Sequence, residues 1–296
     1  MRAARHKRID GVLLLDKPVG PSSSAALQAV KRLLDAQKAG HAGTLDPMAS
    51  GLLPLLFGEA TKFASFGLDA SKEYVADVRL GVATATGDAE GEVTQRSPVD
   101  VDDQALARAL AGLRGEIEQV PPMYSALKHA GRPLYALARE GRAVARRPRR
   151  VTVHELELVS RGEAALRLRV LCSKGTYIRQ LAVDLGLALG TVAHLQALRR
   201  IAVGRLRVDQ AVSLDDLQAL GDEGRLAWLL PPDRLIEHLP RIDLDEGSAA
   251  RFLSGQAVRL AAAGEGPGRV YSGGRLLGVG ERGPAGLQPA RLVARA

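Results

Sequence analysis

A chain of 296 residues is long enough for about two domains, each able to bury a core of its own. Its 46% hydrophobic and 25% charged residues exclude a disordered polymer, and no apolar run approaches the roughly 18 residues that a membrane span requires. A net charge of +8 points to a polyanionic partner, while aromatics at 3% are too few for a sheet that reads bases on several exposed rings.

The basic start, MRAARHKRID, lacks the apolar stretch of a signal peptide, so a cytoplasmic protein is expected. Residues 11–15 (GVLLL) predict a short buried strand, stopped by Asp16-Lys17-Pro18 and a turn at Gly20-Pro21. A helix follows, capped by Ser22 or Ser23, with Leu27, Val30 and Leu34 on one face. Residues 38–54 carry three glycines and two prolines and predict a structured loop. In residues 74–80, Tyr74, Ala76, Val78 and Leu80 alternate with the others as in a half-buried strand. A helix is expected over 102–113, with Leu106, Leu110 and Leu113 sharing a face. Residues 142–150 hold five arginines around Pro148, either a solvated linker or a contact for a phosphate backbone. Residues 165–172 alternate cleanly, with Leu166, Leu168, Val170 and Cys172 inward, and lead through Ser173-Lys174-Gly175-Thr176 into a helix bearing Ile178, Leu181, Leu185 and Leu189. Strands mixed with helices indicate an α+β architecture. Pro231, Pro232 and Pro240 mark a boundary, giving domains at 1–238 and 239–296. Beyond it, short apolar pieces separated by glycines predict a small β-barrel.

The lone Cys172 excludes an internal disulfide and a multi-cysteine zinc site. No phosphate loop, HExxH or GxSxG motif is present, which leaves nucleotide hydrolysis, zinc proteolysis and the usual serine hydrolysis without support. Asp46, in Gly43-Thr44-Leu45-Asp46-Pro47, has the setting of a turn former, but it shares a constrained loop with His41. Arg179 falls in the first turn of its helix, where a cation opposes the helix dipole; a carboxylate partner would explain it, and so would a surface position. Tyr74 opens a strand as a core aromatic with its hydroxyl at the rim.

Taken together, Gly11-Val-Leu-Leu-Leu-Asp-Lys17-Pro18, Gly40-His41-Ala-Gly-Thr-Leu-Asp46-Pro47, Gly58-Glu59-Ala-Thr61-Lys62, Lys72-Glu-Tyr74, Pro122-Met-Tyr124-Ser125-Ala-Leu-Lys128 and Cys172-Ser-Lys-Gly-Thr-Tyr177-Ile-Arg179 resemble the TruB family, the tRNA pseudouridine-55 synthases. The tail, from Phe252-Leu-Ser-Gly255-Gln256 to Pro289-Ala-Arg-Leu-Val293, is similar to the PUA RNA-binding module of that family. One departure is Thr84-Ala85-Thr86, where the family often has Thr-Asp-Thr; Asp88 and Gly91 still match.

The resemblance implies a mixed-sheet catalytic domain with a small PUA-like barrel, acting on the T arm of tRNA without metal or other cofactor. Asp46 would be the catalytic carboxylate, attacking the sugar or taking the 2′ proton, with Arg179 keeping it ionised. Tyr74 would stack on the uracil and assist loss of the C5 proton. His41 would fill the space left by the flipped nucleotide, and Tyr177 and Leu198 would line the pocket. Lys17, Lys62 and the arginine stretch would contact phosphates. Related archaeal and eukaryotic enzymes work in guide-RNA particles; the short N-terminus and the lack of a lysine-rich tail favour the stand-alone bacterial type, a monomer needing no protein partner. Two other readings are a non-catalytic RNA-binding or ribosome-associated factor and a synthase acting on ribosomal RNA. The intact Asp46, Tyr74 and Arg179 count against the first. The PUA-like tail and Gly-Thr-Leu-Asp in place of Gly-Arg-Leu-Asp count against the second.

Overall fold

The computed structural model describes residues 6–125, 127–142, 144–260 and 264–293. Residues 1–5 of the basic N-terminus, Ala126 of the 122–128 motif and Ala143 of the arginine stretch lie outside the described residues.

The first strand, β1 (Gly11–Lys17), is the apolar run expected there, and α1 (Ser23–Leu33) follows with Ser22 as its cap, the hydroxyl accepting from Ala25 N. The loop expected over 38–54 is shorter than its composition suggests. Strand β2 (Ala39–His41) and strand β3 (Ala49–Phe57) flank it, leaving 42–48 irregular. Residues 52–57 are apolar and wholly buried, so burial overrides the glycines and the proline. Pro54, which cannot donate, sits just past the last β2 pair, His41 with Leu55, and its carbonyl accepts from Ala42 N at 3.0 Å.

Next come α2 (Ala64–Asp69), β4 (Lys72–Leu80), the small ladder β5 (Val82–Thr84) with β6 (Val93–Arg96), α3 (Asp103–Gly112) and β7 (Gly115–Gln119). A short hairpin, β8 (Lys128–His129) and β9 (Arg132–Pro133), leads to α4 (Leu134–Arg139). Strands β10 (Arg149–Arg161) and β11 (Ala165–Cys172), helix α5 (Ile178–Ala188) and β12 (Ala193–Val203) complete the centre. The pieces β13 (Leu206–Arg207), β14 (Val212–Ser213), α6 (Leu214–Ala219) and α7 (Asp222–Leu226) follow.

One ten-stranded mixed sheet runs β14-β1-β3-β12-β4-β11-β10-β7, with β2 on β3 and β13 on β12. Strands β3 and β12 are parallel over three pairs, Leu198 with Ala49, Arg199 with Ser50 and Arg200 with Gly51. There the backbones approach so closely that a Cβ on Gly51, at φ +103°, would fall on the Arg200 carbonyl oxygen. This contact brings the 42–48 loop, at the head of β3, over β12 and β4. One core lies between α3, α5 and the strands β4, β10, β11 and β12; a second lies between α1 and the strands β1 and β3.

The C-terminal part is a four-stranded sheet, β15 (Arg241–Asp243), β16 (Gly266–Ser272), β17 (Arg275–Gly283) and β18 (Gly286–Leu292), with β15 parallel to β16. Helix α8 (Glu246–Leu253), capped by Asp245, buries Phe252 against it. This sheet is bound to the larger one. Leu276, Val279 and Val293 share an apolar cluster with Val12, Leu52, Phe63, Leu235 and Ile236. Buried Asp233 accepts hydrogen bonds from Arg269 at 2.9 Å and from the Tyr271 hydroxyl. Among the described residues no helix is long and apolar enough to cross a membrane.

Candidate active site

Asp46 projects from the 42–48 loop into a cavity of about 370 Å³, within the range of small-ligand sites. The loop is fixed from below by Ser23, whose hydroxyl donates to Leu45 O at 2.9 Å and accepts from Leu45 N at 2.7 Å. Tyr74 comes from β4, Tyr177 and Arg179 from the start of α5, Leu198 and Arg200 from β12. Four separate segments thus converge on one carboxylate.

Arg179 is buried, not a surface residue, and its explanation is the carboxylate partner. Its guanidinium lies 3.0 Å from Asp46 and 3.3 Å from Asp88, and donates to Thr86 O and Tyr124 O at 3.2 and 2.6 Å. Asp88 is buried in turn, accepting from the Thr86 hydroxyl and from Glu90 N. Gly91 closes that turn; any Cβ there would collide with Thr86. Asp88 supplies the second acid of the network, and Ala85 lines a neighbouring cavity of about 240 Å³ on the far side of Arg179, together with Arg146.

Burial raises the pKa of Asp46, although its side chain remains 39% exposed to the cavity. Arg179 opposes the rise, Asp88 adds to it and Lys17 opposes it. Arg179 thus favours the ionised carboxylate against the effect of burial. Tyr74 is buried, which raises its phenol, and the charge and hydrogen bond of Arg200 work against that rise. Burial also raises the Tyr177 phenol. Its backbone N–H donates to Gln119 Oε1 at 2.7 Å and its carbonyl accepts from Gln119 Nε2 at 3.1 Å, which fixes the N-terminus of α5.

His41 ends β2, across the loop from Asp46. Burial, then the charge of Arg200, lowers its pKa, and its buried Nδ1 has no hydrogen-bond partner among the described residues. A neutral ring with an unused nitrogen suits contact with a base better than with a phosphate. The two lysines expected at phosphates require correction. Lys17 is fully buried, its Nζ donating to Pro18 O and Pro21 O at 2.7 and 2.8 Å, and burial lowers its pKa to about 8. Its charge faces Asp46 rather than solvent. Lys62 does not line the cavity; its Nζ bonds Glu59 and Leu292 O at 2.7 and 2.8 Å and ties the C-terminal sheet to the larger one. Of the arginine stretch, Arg142, Arg147, Arg149 and Arg150 are exposed, and Arg146 is partly buried.

The residues missed by sequence reasoning are Asp88, Lys72 and Arg200. Lys72 is buried at the cavity wall, donating to Leu68 O and Ala70 O at 2.5 and 2.6 Å, and burial lowers it to about 8. Its place beside Tyr74 in Lys72-Glu73-Tyr74 was the only signal. Among the described residues no three His, Cys, Asp or Glu side chains converge as a metal site would require.

A carboxylate paired with a buried arginine beside a buried tyrosine, on a mixed sheet, fits the class of pseudouridine synthases that the sequence resembles. The fold matches that of a Cbf5-Nop10-Gar1 complex with a TM-score of 0.72 and 29% identity, covering 92% of this chain and 78% of that one. It also matches an H/ACA RNP bound to a substrate RNA containing 2′-deoxyuridine, at 0.69 and 27%, covering 92% and 77%. The model of the TruB family pseudouridylate synthase N-terminal domain matches residues 31–178, that of the tRNA pseudouridylate synthase B C-terminal domain residues 179–237, and that of the pseudouridine synthase II TruB C-terminal region residues 240–293. The tRNA pseudouridine synthase B of Aromatoleum aromaticum is 56% identical over 292 residues, covering 98% of this chain and 95% of that protein. That of Burkholderia lata is 55% identical over 294 residues, covering 97% and 91%. The chain belongs to the TruB family of pseudouridylate synthases.

Proposed function

We propose that this chain converts uridine 55 in the T arm of tRNA to pseudouridine, with Asp46 as its catalytic carboxylate. The observation that carries the reading is the buried chain Asp88–Arg179–Asp46 at a cavity walled by Tyr74, Tyr177 and Leu198. The reaction breaks the N1–C1′ bond, rotates the base and joins C1′ to C5; the C5 proton leaves and N1 gains one from solvent. Asp46 acts at the sugar, by attack on C1′ or removal of the 2′ proton, and either role needs the ionised form that Arg179 favours. Tyr74 stacks on the uracil, and its hydroxyl assists departure of the C5 proton. A uridine within a folded loop must first be flipped out, at a cost of a few kcal/mol, and His41 is placed to fill the vacated stack. Exposed Arg147, Arg149 and Arg150 supply phosphate contacts.

Unmodified tRNA and ribosomal RNA transcripts, incubated with the protein and mapped for pseudouridine at nucleotide resolution, test the assignment. The expected result is one product, at position 55 of tRNA. Modification confined to ribosomal RNA, or none, overturns it.

A further inference from the structure

Two arginines enter the cavity, and their surroundings differ. Arg179 is held between two carboxylates. Arg200 is among the largest fully buried side chains, at 1% exposure, yet it forms no ion pair among the described residues. Its Nε donates to Leu52 O at 2.8 Å, its Nη2 to Gly43 O at 3.0 Å, and its Nη1 lies 3.4 Å from Thr44 O. In the sheet it stands directly across from Tyr74, and both residues line the same cavity. A buried cation costs several kcal/mol unless its surroundings compensate, and carbonyl dipoles do so only in part. Packing alone is a poor reason for such a residue at this position.

We propose that Arg200 is a positioning residue for the reaction: one guanidinium holds the carbonyls of the loop that presents Asp46 and the hydroxyl of the tyrosine that faces the base, fixing the two groups relative to each other. The proposal rests on the function proposed above. Its geometry has a clear logic. Asp46 acts at the sugar and Tyr74 at the base of one nucleotide, so their separation must match that nucleotide through bond breaking, rotation and rejoining. Gly43 is the point where the guanidinium meets the loop; a Cβ there would stand 3.3 Å from Arg200 Nη1. The charge has a second effect. With no carboxylate to balance it, Arg200 lowers the cost of negative charge on the Tyr74 oxygen as the C5 proton is taken, and its influence on Tyr74 is in that direction. The same field lowers the pKa of His41, Lys17 and Lys72 around the cavity.

The test compares Arg200→Lys and Arg200→Met in single-turnover modification of a tRNA transcript, with RNA affinity and thermal unfolding measured on the same samples. Lysine keeps the charge but cannot span two loop carbonyls and the phenol together. It should lower the rate at saturating RNA on the order of 100-fold, as a misplacement of about 1 Å does, with affinity unchanged within about twofold. Methionine should in addition move the phenol limb of the pH–rate profile, which lies well above the acid limb set by Asp46, towards higher pH, because the charge that helps the phenol is gone; lysine should leave that limb in place. A purely structural role predicts rate losses that vanish once corrected for the unfolded fraction, with no shift of the limb. Full activity of folded Arg200→Lys, or a loss confined to affinity, overturns the proposal. Should the methionine variant not fold, the split between rate and affinity in the lysine variant decides alone. Absence of pseudouridine with the unsubstituted protein would instead refute the underlying function.

Discussion

Replacing Arg179 by methionine removes the cation 3.0 Å from Asp46 and leaves Asp46 and Asp88 facing the space it occupied. Burial already raises Asp46, and the charge and hydrogen bond of Arg179 are what oppose it. An opposite charge at this range depresses a carboxyl by about 1–3 units. The 39% exposure of the Asp46 side chain to the cavity argues for the lower part of that range. The Asp46 pKa should therefore rise when Arg179 is lost. Activity needs the ionised form, so the acid limb of the single-turnover profile should move towards neutral pH by the same amount. At a pH below both limbs, the variant should lose about 10- to 100-fold more than it loses on its plateau. Arg179→Lys should recover part of the shift, since a point charge pairs with one carboxylate better than with two. An acid limb that does not move in Arg179→Met would mean that Asp46 is kept ionised by something other than Arg179, and the network reasoning would fail.

Asp46→Asn should fold and bind tRNA yet lose turnover by a factor on the order of 10⁶, because the amide is neither base nor nucleophile; readily measured product would refute its role. Binding should weaken with salt by roughly 0.7–0.9 log units per log unit for each phosphate neutralised, and joint replacement of Arg147, Arg149 and Arg150 by alanine should flatten that slope. An unchanged slope removes them from the RNA interface. Asp233→Ala strips partly buried Arg269 and buried Tyr271 of their shared acceptor and should cost about 3 kcal/mol, seen as a lower melting temperature by fluorescence of Trp228, the single tryptophan. Deletion of 241–296 should likewise lower it, since Leu235 and Ile236 lose the cover of Leu276, Val279 and Val293; a truncated chain as stable as the whole would show that the shared cluster contributes little.

Local periodicity made β4, β11, α1, α3 and α5 legible, because each turns one face into a core and leaves the other less buried. It failed at β3, where glycine and Pro54 interrupt an apolar run whose strand character comes from partners on both sides. It failed also at β12, whose pairing with β4 shifts register at Leu195/Ala197 and Arg200/Ala202, so no even alternation survives in its sequence. That irregularity hides which of Arg199 and Arg200 turns inward. Arg199 bonds Asp16 near the surface, whereas Arg200 is buried in the site. Asp46 and Arg179 were legible as candidates through their odd local settings, a constrained loop and the wrong end of a helix dipole. Their pairing came from the family resemblance alone, because it depends on how distant segments meet. Lys17 and Lys62 misled for the same reason: charge is visible in sequence, but a carbonyl partner is not.

The bond from Lys62 to Leu292 O, the Asp233 acceptor and the shared apolar cluster leave the C-terminal sheet little freedom to swing. On the proposed function, the molecule would act as a gauge of fixed span. An RNA that reaches from the cavity to that sheet must present its two contact points at the right separation, or bend until it does. Discrimination between correctly and wrongly folded RNAs would then come from the stiffness of this join, with no base read along the way.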